Sequence, residues 1–285
     1  GVTLQGTWHD VWRANLELRG AGRELARFAS FPAEHLWQLD KRARKVDWAA
    51  VLRPDMPVAV EATCRASRIY HSGAAAQRIA EAITGTLGAP IADGAPVTVM
   101  ARIENDICTL SVDTSGELLH KRGHKQAVGK APLRETMAAL LLRRCGFTGG
   151  EPVVDPMCGS GTFVIEAAET AMGLKPGRAR SFAFEHLATF DADAWARLRA
   201  DVDLNPTATP SAAVRFHGNA RDAGAIRMSR DNAERAGVAG LTTFAQNDVS
   251  ELRRPEGPVG LVMVNPPYGD RIGDKTKLQP LYRVI

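Results

Sequence analysis

Two short runs hold the residue types that could do chemistry. The first is Val153-Val154-Asp155-Pro156-Met157-Cys158-Gly159-Ser160-Gly161-Thr162, followed by the helical run Phe163 to Met172. An apolar strand that ends on a carboxylate, turns through two glycines and opens a helix suits a nucleotide-like ligand. Gly159 and Gly161 allow a tight turn and a close backbone approach, and Asp155 sits at the carboxyl edge of a parallel sheet, where ligands bind. The run is D-P-x-C-G-S-G-T rather than the G-x-G-x-x-G of dinucleotide sites. The second run, about a hundred residues on, is Leu261-Val262-Met263-Val264-Asn265-Pro266-Pro267-Tyr268-Gly269, again a strand ending in a polar turn. Its two prolines fix φ and remove two amide donors, so the backbone after Asn265 is stiff and its carbonyls are free to accept from a ligand.

Other chemistries find less support. Cys64, Cys108, Cys145 and Cys158 show neither CxxC nor Cys/His ligand spacing, which argues against a zinc site or a disulfide framework and fits a reducing cytoplasm. His120, His124, His186 and His217 are scattered, without partners at ligand or triad spacing. The chain has 285 residues, 45% of them hydrophobic and 24% charged, as expected of a globular protein with a real core. No apolar run approaches membrane-spanning length, and no signal peptide is visible. The net charge of +4 is uneven: residues 1–150 carry about +5 and the remainder about −1. Phosphate contacts, if made, are therefore expected mainly of the first half.

The elements that would position the two runs follow from periodicity. Residues 7–29 predict an amphipathic helix and 33–46 another, the latter with the charged string Asp40 to Lys45. A strand over 58–64, a helix over 73–87 and strands over 97–103 and 107–112 predict a β-α-β-β unit. Arg65, Arg68, Lys121, Arg122 and Lys125, at its ends or in the segment leaving it, are the cations best placed for RNA backbone contacts. The Gly-punctuated basic stretch 115–124 marks a boundary, so that residues 1–113 and 114–285 form two domains. Beyond it, a helix from Ala131-Pro132 to Leu142 precedes alternating elements: helix 161–172, a polar helical insertion near 191–204, strand 213–218, helix 223–236, and strands 241–244 and 259–264. Such alternation predicts a doubly wound parallel sheet, α/β in class.

The two runs, the basic unit upstream, and the segments Asp113 to Gly116, Lys121-Arg122-Gly123 and Ala131 to Glu135 together resemble one family. It is the THUMP-containing class I RNA methyltransferases, closest to the bacterial enzymes that make N2-methylguanosine in 23S ribosomal RNA. The first run resembles their motif I and the second their N-P-P-Y signature for methylating planar, amide-like nitrogen. The resemblance implies a cytoplasmic enzyme that uses S-adenosylmethionine, no metal, and large-subunit ribosomal RNA as substrate. It implies a Rossmann-like methyltransferase sheet, preceded by an α+β THUMP domain with a ferredoxin-like remnant to about residue 35. Asp155, Pro156, Gly159, Ser160, Gly161 and Thr162 would line the cofactor, and Asp248 would reach its adenine. Asn265, Pro266, Pro267 and Tyr268 would hold the target base, with the Asn265 side-chain oxygen and the Pro266 carbonyl accepting the amine hydrogens and Tyr268 stacking on the ring. One position departs from the family: where an acid usually binds the ribose, Phe216-His217-Gly218-Asn219-Ala220-Arg221-Asp222 has Ala220, leaving Asp222 as the substitute. With Met absent at the start and four of seven strands expected, the chain reads as a fragment cut at both ends. A transfer RNA guanine-N2 methyltransferase, a glutamine or DNA adenine methyltransferase, and an RNA-binding scaffold with a decayed cofactor site stay open beside this reading.

Overall fold

The computed structural model describes residues 1–125, 133–200 and 215–266. The chain runs α1 (Trp8–Glu17), β1 (Leu25–Pro32), α2 (Leu36–Ala43), β2 (Val58–Arg65), α3 (Ser72–Leu87), β3 (Val97–Glu104) and β4 (Ile107–Asp113). It continues through α4 (Glu135–Arg144), β5 (Val153–Asp155), α5 (Thr162–Ala171), α6 (Ala192–Ala200), β6 (Phe216–Ala220), α7 (Ala223–Ala236), β7 (Thr242–Gln246) and β8 (Leu261–Val262). Two compact units result. One comprises residues 1–18, 22–119 and 181–201; the other, residues 19–21, 120–180 and 202–285.

The first unit is a four-stranded sheet in the order β1-β4-β3-β2. β2 and β3 are parallel and joined by α3, while β3, β4 and β1 pair antiparallel. Alternation decides which face is buried: Val97, Val99, Ala101 and Ile103 of β3 and Cys108, Leu110 and Val112 of β4 lie inside, as do Ile79 and Ile83 of α3. The helix expected over 7–29 is two elements. α1 starts on a capping box, in which Thr7 accepts from the Asp10 amide and Asp10 from the Thr7 amide, and stops at Glu17. Gly20 and Gly22 then break the helical run at about 1 kcal/mol each. Leu25–Pro32 pairs with β4 instead, with a register shift between Arg27 and Ala29. Within residues 1–35, β1 thus belongs to the same sheet as β2, β3 and β4.

The chain crosses between the two units more than once. Residues 181–201 return to the first unit, where Phe184 stacks on Trp12 at 5.9 Å and meets Trp195 edge-on at 5.0 Å. The Phe184 amide also donates to Thr114 O. Burying the rings of Trp12, Phe182, Phe184 and Trp195 together outweighs the polar character of residues 191–200, part of the polar insertion expected near 191–204.

The second unit is a parallel sheet in the order β7-β6-β5-β8. The first three strands are laid outward from β5, then the chain returns to place β8 on the other side of β5. The order therefore reverses between β5 and β8, and the crevice at the carboxyl ends of those two strands is where such sheets bind ligands. Val153, Phe216 and Phe244 from the strands and Met263 just past β8 form one core with Phe163, Val164, Ala167 and Ala168 of α5 and Ile226 and Ala233 of α7. α7 spans the residues its periodicity predicts, between the Asp222 cap and the left-handed Gly237.

Candidate functional site

The parallel register carries both motifs to one sheet edge. Val153 pairs with Leu261 and Val154 with Val262, and the Met263 amide donates to Val154 O at 2.9 Å. Asp155 thus ends β5 beside Met263, which follows β8, with Asn265 two residues further along the chain. On the other flank, Gly218 of β6 is the partner of Asp155. Asp222 and Asp248, just beyond the ends of β6 and β7, lie toward the same edge. Pro267, Tyr268, Ala131 and Pro132 lie outside the described residues.

Asp155 is buried, 2% exposed, and its Oδ1 accepts from the Met157 amide at 3.0 Å. Burial raises the carboxyl to about 7, against a smaller lowering by that hydrogen bond. A buried acid on a strand tip is costly unless a cation or donor joins it, which makes Asp155 the group here most clearly fitted to a ligand. Gly159 and Gly161 have φ of 53° and 83°, the left-handed region. A Cβ at Gly161 would press on the Phe244 ring and Ser229 at 3.2 Å, whereas at Gly159 it would meet nothing within 4 Å. Among the described residues the turn is therefore closed on its inner side and open in front of Gly159. Ser160 and Thr162 are nearly buried; the Thr162 hydroxyl accepts from Lys125 Nζ at 2.9 Å.

Asp222 caps α7 by accepting the Ala225 amide on Oδ1 at 2.7 Å. Only its other oxygen is left to a ribose, so it is not equivalent to an acid at Ala220. Asp248 accepts from the Ser250 amide and hydroxyl, and these bonds hold its carboxyl below the usual range. Two residues at this edge had no signal in the motif reading. Asn219 accepts the Cys158 amide on its carbonyl at 2.8 Å, and its side-chain oxygen accepts from Asn247 at 3.2 Å. Gly218 is the other: a Cβ there would lie 2.6 Å from the Phe244 ring and 3.0 Å from Cys158 Sγ, so the glycine turn can settle over β6 only because no side chain intervenes.

The RNA-contact set separates into two groups. Arg65 and Arg68 are 80% and 63% exposed on side chains at the end of β2, the former 3.8 Å from Glu104 and the latter paired with Glu34. Lys121 is also exposed. Arg122 and Lys125 are not available to a phosphate, which corrects the sequence reading. Arg122 is 2% exposed, and its guanidinium donates to both oxygens of Glu166 at 3.3 Å and to Arg19 O at 2.9 Å. Lys125 Nζ is bound to Leu133 O, Thr162 Oγ1 and Glu135. Both cations tie the entry segment of the second unit to α4 and α5. Around them, Glu166 also takes Arg19 at 2.7 Å and Glu169 takes Arg178 at 2.5 Å. His124 Nδ1 lies 3.7 Å from Glu169, yet burial lowers this imidazole to about 4 and keeps it neutral near pH 7.

Among the described residues no group of three or more His, Cys, Asp or Glu could hold a metal, and no helix is long and apolar enough to cross a membrane. The parallel sheet and the glycine turn with its buried acid, beside Asn265 and Pro266, define a class I methyltransferase fold. The chain belongs to the RMKL-like methyltransferase domain family, UPF0020, whose model matches residues 122–285. Family membership makes S-adenosylmethionine the cofactor, and the left-handed glycines, the open space at Gly159 and the buried Asp155 would fit such a molecule.

The chain is 33% identical to the Ribosomal RNA large subunit methyltransferase K/L of Vibrio campbellii, over 99% of its own length and 41% of that enzyme's. It thus spans about two fifths of the curated relatives it matches. Among solved structures, a Listeria monocytogenes protein described as a predicted N6-adenine-specific DNA methylase is 31% identical with a TM-score of 0.87, over 98% of this chain and 74% of that one. SMU.472, a methyltransferase complexed with SAH, is 27% identical with a TM-score of 0.83, over 98% and 75%.

Proposed function

We propose that this protein methylates the exocyclic N2 of a guanine in 23S ribosomal RNA. The observation that supports the reading best is the pairing of β5 with β8, which brings Asp155 and Asn265 to one edge at the point where strand order reverses. When bound, S-adenosylmethionine supplies an electrophilic methyl group. Asp155 then takes the cationic amino-acid end of the cofactor, and Pro156, Gly159, Ser160, Gly161 and Thr162 cradle it from the turn. Asp248 meets the adenine, and the free oxygen of Asp222 meets the ribose in place of the absent acid at Ala220.

On the substrate side, the Asn265 side-chain oxygen and the Pro266 carbonyl accept the two hydrogens of the amine. That favours the pyramidal, more nucleophilic nitrogen of the transition state over the planar one of the ground state. Pro267 stiffens this tip and Tyr268 stacks on the base. A guanine within folded RNA must leave its stack to reach the tip. Residues 1–113, read as a THUMP-type unit, supply a grip on the RNA backbone through Arg65 and Arg68; Lys121, in the second unit, is a further cation for RNA phosphates. A cytoplasmic setting goes with a ribosomal substrate.

The test is transfer of labelled methyl from S-adenosylmethionine to large-subunit ribosomal RNA by the intact protein, with the product nucleoside identified by mass spectrometry. N2-methylguanosine is expected. N6-methyladenosine would support the adenine specificity in the Listeria protein's description and sink the guanine assignment, as would labelling of transfer RNA in preference to ribosomal RNA.

A further inference from the structure

The glycine turn is held from behind by a helix that carries no ligand-binding motif. Asn232 and Ser229, on the inner face of α7, are fully buried. Asn232 Nδ2 donates to the carbonyl of Ser160 at 3.2 Å, and the Ser229 hydroxyl reaches the carbonyls of Gly159 at 2.9 Å and Ala225 at 3.0 Å. The orientation of the Asn232 amide is itself fixed, because its Oδ1 accepts from Arg235 Nη2 at 2.5 Å while Arg235 Nε donates to His124 O at 2.8 Å. A trans peptide points its C=O and the next N–H in opposite directions. Drawing the Gly159 and Ser160 carbonyls onto α7 therefore turns the Ser160 and Gly161 amides away from it. The Gly161 amide closes the turn on Cys158 O at 2.8 Å, and the direction of the Ser160 amide is set by the Gly159 carbonyl.

We propose that Asn232, oriented by Arg235 and assisted by Ser229, is a positioning residue for the cofactor turn: it presets the conformation in which the turn meets S-adenosylmethionine. The proposal rests on the reading of that turn as the cofactor site. Such a role differs from core filling, since a side chain that only fills space would tolerate an isosteric change. Asn232→Asp is that change. It keeps the volume and gives Arg235 a stronger acceptor, but sets an oxygen against the Ser160 carbonyl where a donor stood.

The experiment is a calorimetric titration of S-adenosylhomocysteine into the intact protein and its Asn232→Asp variant, with thermal melting and amide exchange of residues 158–162 measured on both. Arg230→Met is the control, because it removes an α7 hydrogen bond to Phe244 O that does not touch the turn. Asn232→Asp should weaken S-adenosylhomocysteine about tenfold, the worth of one hydrogen bond and one unsatisfied carbonyl, and speed exchange in the turn. Arg230→Met should lower the melting temperature without either change. Equal affinity for parent and Asn232→Asp overturns the proposal, and so does a loss of affinity in Arg230→Met that tracks its melting temperature. If the parent binds no S-adenosylhomocysteine the cofactor reading falls, and the exchange data then decide the proposal alone: unchanged exchange in Asn232→Asp refutes it.

Discussion

Replacing Arg122 by methionine separates an internal ion pair from an RNA contact more sharply than any other single change. The guanidinium lies between the two oxygens of Glu166, each 3.3 Å away, with the carbonyl of Arg19 at 2.9 Å and almost no exposure to solvent. Removing one partner of a buried pair costs about 3–5 kcal/mol, because the other is left uncompensated. Here Glu166 keeps Arg19 at 2.7 Å, so the lower end applies, about 3 kcal/mol. Burial already pushes the Glu166 carboxyl upward against the pull of Arg19 and Arg122, and loss of Arg122 pushes it further. At about 2–4 °C per kcal/mol, the melting temperature should fall by roughly 6–12 °C. Combining the change with Glu166→Gln should cost less than the sum of the two by about 1 kcal/mol or more, as expected of residues in one network. A melting temperature within about 1 °C of the parent, accompanied by weaker RNA binding, would show that Arg122 faces a phosphate and that the buried arrangement is wrong.

Two further changes probe the sheet edge. Because burial raises Asp155 from 3.8 to about 7, its contribution to stability is fully present below about pH 3.8 and lost as pH rises through 7. Asp155→Asn should therefore be more stable than the parent at pH 8, by roughly 2–4 kcal/mol in urea denaturation, while the S-adenosylhomocysteine affinity of the parent should fall about tenfold from pH 8 to pH 6. A pH-independent affinity in calorimetry would mean that Asp155 does not meet the charged end of the cofactor. His124 has the opposite sign: lowered to about 4, it contributes stability above 6.5 that is lost as pH falls through 4. Gly218→Ala places a methyl group 2.6 Å from the Phe244 ring, and urea denaturation should show a loss of about 1–3 kcal/mol; a neutral outcome would mean that the turn does not rest on β6 as described.

The parts of the fold most legible in the sequence are those where one local signal acts alone. α7 is bounded by a side-chain cap and a left-handed glycine, and the β3–β4 hairpin by Asn105 and Asp106 at positive φ. The exchange of a helix for β1 was not legible, because Leu25–Pro32 becomes a strand by pairing with β4, some eighty residues away. The burial of Arg122 and Lys125 was hidden for a related reason: their partners Glu166 and Glu135 lie 44 and 10 residues further on, in helices that meet the two cations only once packed. At the site, the glycine turn and the N-P-P tip carry their own chemistry in consecutive residues. Gly218, Ser229 and Asn232 act only through what approaches them, so nothing in their local sequence marks them out.

The proposed division of labour, cofactor at the β5 tip and amine at the neighbouring β8 tip, is tested most directly by measuring S-adenosylhomocysteine affinity and methyl transfer together in Asp155→Ala and Asn265→Ala. Asp155→Ala should lose both, with affinity down at least about tenfold for a buried charged contact. Asn265→Ala should bind S-adenosylhomocysteine within about twofold of the parent and yet transfer no methyl group to ribosomal RNA. Undiminished affinity in Asp155→Ala, or undiminished transfer in Asn265→Ala, would contradict it.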